Sequence, residues 1–93
     1  MEYKYFIEYL GVLVIVTANL LTNADPVIIG LIYFAVLTTA NNMSTGFFNP
    51  FIPLGMYILG RTGSEEAMYN ILAQVLGALS AILVFKPIKI YID

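Results

Sequence analysis

The chain contains no histidine, cysteine or tryptophan, and charged residues make up only 11% of its 93 positions. Without cysteine it cannot form a disulfide or use thiolate chemistry, and without histidine or cysteine a zinc or haem site is not expected. A net charge of −2 offers no basic surface for nucleic acid. We therefore expect no nucleic-acid partner, no metal and no cofactor.

Apolar residues fill the chain instead. They make up 60% of the sequence, and the mean hydropathy is +0.87, which is typical of a membrane protein. At roughly 1.5 Å per residue, the apolar runs predict three transmembrane helices over about 5–22, 26–41 and 65–85 in a single domain. The first run could instead be a secretory signal, because Lys4 precedes it, but its apolar core is long for a signal.

Local signals predict where the helices begin and end. Asp25-Pro26 suits an N-cap followed by a first-turn proline. Ser64, followed by two glutamates, is a good start for the last helix, because anions stabilise the positive end of a helix. Lys86-Pro87 predicts the end of that helix, because proline cannot continue the hydrogen-bond ladder.

A second Asx-Pro pair, Asn49-Pro50, lies between the second and third predicted spans. Asn49 can cap a helix that begins at Pro50. A helix over about 50–60 would be roughly 16 Å long, about half the hydrocarbon thickness, so it cannot cross a membrane alone. We predict a re-entrant half-helix. An interfacial helix is the alternative, but this segment lacks the polar face that such a helix needs.

Three sequence elements, in this order, resemble those of the aquaporin, or major intrinsic protein, family. They are Glu-Tyr-Leu-Gly at 8–11, the Asn-Pro segment at 44–55, and Ala-Gln-Val-Leu-Gly-Ala at 73–78. The resemblance implies an all-α membrane protein with the fold of an aquaporin half-repeat: three transmembrane helices and one re-entrant half-helix. Family members carry two inverted repeats, so an inverted second copy would complete this one, and by analogy four such dimers would form a tetramer of dimers.

The distribution of positive charge agrees with an inverted homodimer. With three spans, Lys4 and Arg61 lie on one side of the membrane and Lys86 and Lys89 on the other. Orientation normally follows an excess of Lys and Arg on one side, and this chain has none, so both orientations should insert. The alternative is that four charges in a short chain balance by chance.

The resemblance also implies roles for individual residues. The pore centre would comprise Asn49, Pro50 and Phe51. The backbone carbonyls of Thr45, Gly46 and Phe47 would accept hydrogen bonds from a solute. Glu8 and Gln74 would hold the loop before the half-helix. The alternatives are that Glu8 extends to the interface and that Gln74 makes an ordinary interhelical hydrogen bond.

The sequence departs from the family pattern where selectivity is set. Phe51 replaces the usual motif alanine, Phe47 replaces a loop histidine, and Ile52 stands where water and glycerol channels have an arginine. The transferred constriction is Ile29, Leu37 and Ile52. Because an aliphatic neck tends to dewet, we expect a channel for small neutral solutes, such as glycerol-like molecules, water or gas, rather than a strict water channel.

The sequence is also compatible with two other functions. The chain could be a non-conducting structural membrane protein that retains the channel fold, with the phenylalanines around the motif plugging its core, or it could pair with a full-length channel. We do not expect an enzyme, because no nucleophile and base are evident in the sequence.

Overall fold

The computed structural model describes residues 3–40, 43–44 and 47–92, and it is helical with connecting turns over these residues. The helices are α1 Tyr3–Thr22, α2 Pro26–Thr39, α3 Phe51–Ile58 and α4 Ser64–Ile92. The prediction of an all-α protein is confirmed at this level. Helices α1, α2 and α4 lie where the three spans are predicted, and α3 lies where the half-helix is predicted.

Helix boundaries follow local chemistry at two of the turns. The carboxylate of Asp25 accepts the backbone N–H of Val27 at 3.0 Å, which caps α2 in front of its first-turn proline. At the end of α3, Gly60 adopts a φ of 76°, a left-handed conformation that glycine reaches without steric cost. This conformation lets the N–H of Arg61 bond to the Met56 carbonyl at 2.8 Å, which closes the helix.

The predicted end of the last helix is wrong. Helix α4 continues through Pro87 to Ile92 and is 29 residues long. Proline removes one N–H from the ladder, but the hydrogen bonds before and after it can still form, and apolar helices tolerate such a defect. At roughly 43 Å, α4 is longer than a hydrocarbon core of about 30 Å.

Helix α1 is the centre of the fold, because it packs against both α4 and α2, while α3 packs on α4. Helices α1 and α4 run parallel: Lys4 Nζ lies 3.2 Å from Glu66 Oε1, and further along both helices Tyr9 Oη donates to Ser80 Oγ at 2.7 Å. Their buried faces repeat at alternating intervals of three and four residues, as in a coiled-coil seam. The residues of this seam are Tyr5, Glu8, Val12 and Ile15 on α1 and Ala67, Asn70, Gln74, Gly77 and Ala81 on α4.

Gly77 sets the closest approach of the two helices. A Cβ atom at this position would lie 2.5 Å from the Tyr9 carbonyl oxygen and 3.2 Å from Val12 Cβ. Small residues let helix backbones approach in this way, which brings the polar side chains of the seam within hydrogen-bonding distance of one another.

Polar side chains are among the most deeply buried residues, whereas many large apolar side chains are exposed. The largest fully buried side chains are Gln74, Glu8, Asn70 and Pro53, whereas Phe34 and Leu83 are 70% and 69% exposed. This pattern is typical of a chain solvated by lipid. Helices α1 and α4 are long and apolar enough to cross a membrane. Helix α2, with 14 residues, is about 21 Å long, so its role as a third span stays a prediction.

We expect Gly77→Ala to destabilise the protein by about 1–3 kcal/mol, because the new methyl group would overlap the α1 backbone and force the helices apart. Gly55→Ala is the matched control, since a Cβ there meets nothing within 4 Å and alanine favours the helix. Chemical unfolding in detergent, followed by circular dichroism, measures both variants. Equal stability of the two variants would contradict close packing at Gly77.

Candidate functional site

A fully buried carboxylate, that of Glu8, lies where three segments of the chain meet. Its Oε1 accepts the backbone N–H of Phe48 at 3.0 Å and the Nε2 amide of Gln74 at 2.9 Å. Its Oε2 accepts the hydroxyl of Ser44 at 2.9 Å. We call Glu8, Gln74, Ser44 and the N–H of Phe48 the carboxylate clamp. It joins α1, α4 and the segment that leads into α3.

The carboxylate clamp explains how a carboxylate is accommodated away from solvent. Burying a charged or polar group costs free energy unless hydrogen bonds replace those it made with water. Glu8 receives these bonds from a backbone N–H, an amide and a hydroxyl. Extension of Glu8 to the interface, the alternative raised by the sequence, is not the arrangement observed. Gln74 bonds to Glu8 across the α1–α4 seam, so its hydrogen bond is both interhelical and part of the clamp.

Phe48 is a buried anchor for the start of α3. Its side chain is 4% exposed, and its ring packs so closely over Gly11 that a Cβ at Gly11 would collide with it. The ring of Tyr33 meets it edge-on, with centroids 6.4 Å apart. Phe48 has a φ of 54°, which is strained for a residue with a side chain and is held by these contacts and by the bond to Glu8.

Asn49 caps α3 with its side chain. Its Oδ1 accepts the N–H groups of Phe51 at 3.0 Å and Ile52 at 3.1 Å, the same geometry by which Asp25 caps α2. The backbone carbonyl of Asn49 cannot accept the usual intrahelical bond, because Pro53 has no N–H to donate. The Nδ2 of Asn49 donates to the carbonyl of Phe47 at 3.2 Å.

The Phe47 carbonyl, predicted to accept from a solute, already has two donors within the chain. Besides Asn49 Nδ2, the hydroxyl of Tyr33 on α2 donates to it at 2.9 Å. These bonds use both lone pairs of the oxygen, so a solute could use this carbonyl only by displacing one donor. The other two predicted carbonyls, those of Thr45 and Gly46, lie outside the described residues.

The remaining predicted site residues lie on α2 and at the start of α3, and these two helices do not pack together. Pro50 is half-buried, Phe51 is 77% exposed and Ile52 is 45% exposed at the start of α3. Ile29 is half-buried and Leu37 is 38% exposed on α2. Among the described helices, α2 packs only against α1. A neck formed by Ile29, Leu37 and Ile52 is therefore not assembled within one chain.

Sequence reasoning missed three contributors to the site. Tyr33 donates to the Phe47 carbonyl, and Gly11 leaves room for the Phe48 ring. Phe48 itself anchors the start of α3, whereas the sequence suggests it only as a phenylalanine that could plug the core. A lone phenol within the otherwise mostly aliphatic second run was the available signal for Tyr33. Nothing local marked Phe48, because its contacts come from residues far away in the sequence.

Within the described residues, no cluster of three or more His, Cys, Asp or Glu side chains could hold a metal ion. No protein-family model, curated protein or solved structure matches the chain. The resemblance to aquaporins therefore rests on the three sequence elements, and the function has to be argued from the site itself.

We expect Glu8→Ala and Gln74→Ala each to lower stability by about 1–3 kcal/mol per polar group left without its partner. Glu8→Ala removes the acceptor for Phe48, Ser44 and Gln74, so it should have the larger effect. Glu65→Ala, an exposed acidic residue in the first turn of α4, is the control, and losing its interaction with the helix N-terminus should cost less than about 1 kcal/mol. Thermal unfolding of the purified protein in detergent measures all three. Unchanged melting of both clamp variants would rule out a supporting role for them.

Proposed function

We propose that the chain is one half of an aquaporin-type membrane channel for small neutral solutes, completed by a second copy in the inverted orientation. The observation that best supports this is the position of Asn49. Phe48, the residue before Asn49, bonds to Glu8, and Glu8 also bonds to Gln74. Gln74 lies ten residues after the first residue of α4, which corresponds to about 15 Å along the helix. Half of a hydrocarbon core of about 30 Å is the same distance, so α3 would begin near the bilayer centre if the acidic first turn of α4 lies at the membrane surface.

An inverted second copy is the simplest partner for this arrangement. Among the described residues, the backbone carbonyl of Asn49 and one of its amide hydrogens have no partner, and in lipid such a half-helix tip is unfavourable unless another polar surface covers it. A copy related by a two-fold axis in the membrane plane would bring a second tip to the same depth. It would also place residues of α2 and α3 from both copies around one central path.

The balance of cations supports dual orientation. One end carries Lys4, which is paired with Glu66, together with the exposed Arg61. The other end carries the exposed Lys86 and Lys89 near the end of α4. Neither end has an excess of basic residues to direct insertion. A tetramer of such dimers is a further step taken by analogy with the family alone.

Permeation in this proposal is an exchange of hydrogen bonds. A solute that sheds water would meet the remaining amide hydrogen of each Asn49, and the two opposed helix N-termini would disfavour cations. Phe51 is 77% exposed beside Asn49, so two copies would narrow the centre with aromatic rings. The aliphatic neck of Ile29, Leu37 and Ile52 would further favour small neutral solutes over ions.

A non-conducting structural protein is the second candidate. The Phe47 carbonyl supports this candidate. It already accepts two hydrogen bonds from the chain's own donors, so it is not available to a solute unless one of them is displaced. Flux of glycerol and water into proteoliposomes separates the two functions. A rate above that of empty liposomes supports the channel, whereas a background rate with folded, inserted protein supports the structural role.

For dual orientation, we expect Tyr3→Cys and Ile88→Cys each to react partly with a membrane-impermeant thiol reagent added from either side. The chain has no native cysteine, so each label reports one position. Adding Ser64→Lys should bias the labelling, because it places an extra cation at one end. If each position labels from one side only, without the added lysine, the inverted homodimer is excluded.

For the pore centre, we expect Asn49→Asp to reduce glycerol flux and to introduce cation leakage. Aspartate retains the cap on α3, but two carboxylates would then meet at low dielectric, where at least one must hold a proton or attract a cation. Fluxes of glycerol and of monovalent cations are measured side by side in proteoliposomes.

Asp25→Asn is the matched control for Asn49→Asp. It makes the reverse exchange in the same Asx-Pro geometry, but at the exposed start of α2. Its fluxes should equal those of the wild type. If a well-folded Asn49→Asp protein also shows wild-type fluxes, Asn49 is only a helix cap.

A further inference from the structure

Three buried polar atoms on α4 have no hydrogen-bond partner among the described residues. They are the Nδ2 and Oδ1 of Asn70 and the Oε1 of Gln74. Asn70 is 1% exposed and Gln74 is 2% exposed. Buried amides without partners are unfavourable, and in folded proteins such groups commonly bond to an internal water.

The orientation of the Gln74 amide is fixed by its neighbour. Its Nε2 donates to Glu8 Oε1 at 2.9 Å, and exchanging the amide nitrogen and oxygen would set two acceptor oxygens against each other. Oε1 is therefore the atom of the amide left to be satisfied. Asn70 lies four residues before Gln74, so their side chains are neighbours on the same face of α4.

We infer that Asn70 and Gln74 together hold one internal water molecule. This water accepts a hydrogen bond from Asn70 Nδ2 and donates its two hydrogens to Asn70 Oδ1 and Gln74 Oε1, so each of the three atoms gains one hydrogen bond. The set contains both donors and acceptors and no charge, so it suits water better than a cation or an anion. Neighbouring residues of the buried face are small: Ala67, Ala73 and Gly77.

This water gives Asn70 a positioning role. It fixes the side of the Gln74 amide that faces away from Glu8, so Gln74 keeps its Nε2 on the carboxylate clamp. The inference does not depend on conduction, because a structural protein with the same clamp would need the same water. A permeating solute is not involved.

The deciding measurement on the unaltered protein is solid-state NMR polarisation transfer from water to side-chain amide protons in lipid bilayers. We expect a cross-peak from a long-lived water to the side-chain amide of Asn70. Asn19 is the internal reference, because its Nδ2 donates to the Ile15 carbonyl at 2.9 Å in its own helix. Absence of the Asn70 cross-peak overturns the inference.

The sign of a stability change provides a second test. Asn70→Ala removes the polar atoms without adding volume. If the water is bound, this variant removes its hydrogen bonds to Asn70, so the melting temperature should fall by several degrees. If the Asn70 amide is simply unpaired, alanine removes an unfavourable group and the melting temperature should rise, which contradicts the inference. Asn19→Ala, which makes the same change in helix propensity, is the control and should change the melting temperature little.

Discussion

The hydrogen-bonded carboxylate of Glu8 is the constraint on which the rest of this structure depends. Its side chain is fully buried in a chain that is 60% hydrophobic, so its oxygens must find donors inside the protein. Those donors come from α4 and from the segment before α3. Meeting this requirement sets the register of α4 against α1 and brings Ser44 and Phe48, which lie between α2 and α3 in the sequence, to α1. The starting point of α3 follows from both.

Two glycines make this polar interior possible. Gly77 lets α1 and α4 approach closely enough for the Glu8 and Gln74 side chains to bond, and Gly11 leaves room for the Phe48 ring. With the ring seated, Phe48 is held at positive φ and its N–H points at Glu8. The direction of Asn49 is therefore set by packing and by a hydrogen bond together. Such a strained conformation persists where the surrounding structure holds it by several contacts.

The sequence predicted the helices well where the signals were local. Asp25-Pro26 and Ser64 mark helix starts, and Asn49-Pro50 marks α3, because caps and first-turn prolines act within a few residues. Pro87 was misleading, since losing one hydrogen bond does not end a long apolar helix. The carboxylate clamp could be anticipated only through the family resemblance. The bond from Tyr33 to the Phe47 carbonyl, the packing of the Phe48 ring over Gly11 and the burial of the Asn70 amide depend on contacts between distant segments, which no local pattern encodes.

The two Asx-Pro caps have the same local geometry but different surroundings. Asp25 and Asn49 make the same pair of bonds to the first turn of the helix that follows, so capping alone does not distinguish aspartate from asparagine. Asp25 is exposed in the turn between α1 and α2, whereas Asn49 is half-buried and follows Phe48, whose N–H bonds to the buried Glu8. A negative charge at Asn49 would lie one residue from the bond between Phe48 and the Glu8 carboxylate, and repulsion between like charges would disfavour it. A neutral cap at Asn49 avoids this repulsion and leaves one amide hydrogen of Asn49 at the start of α3.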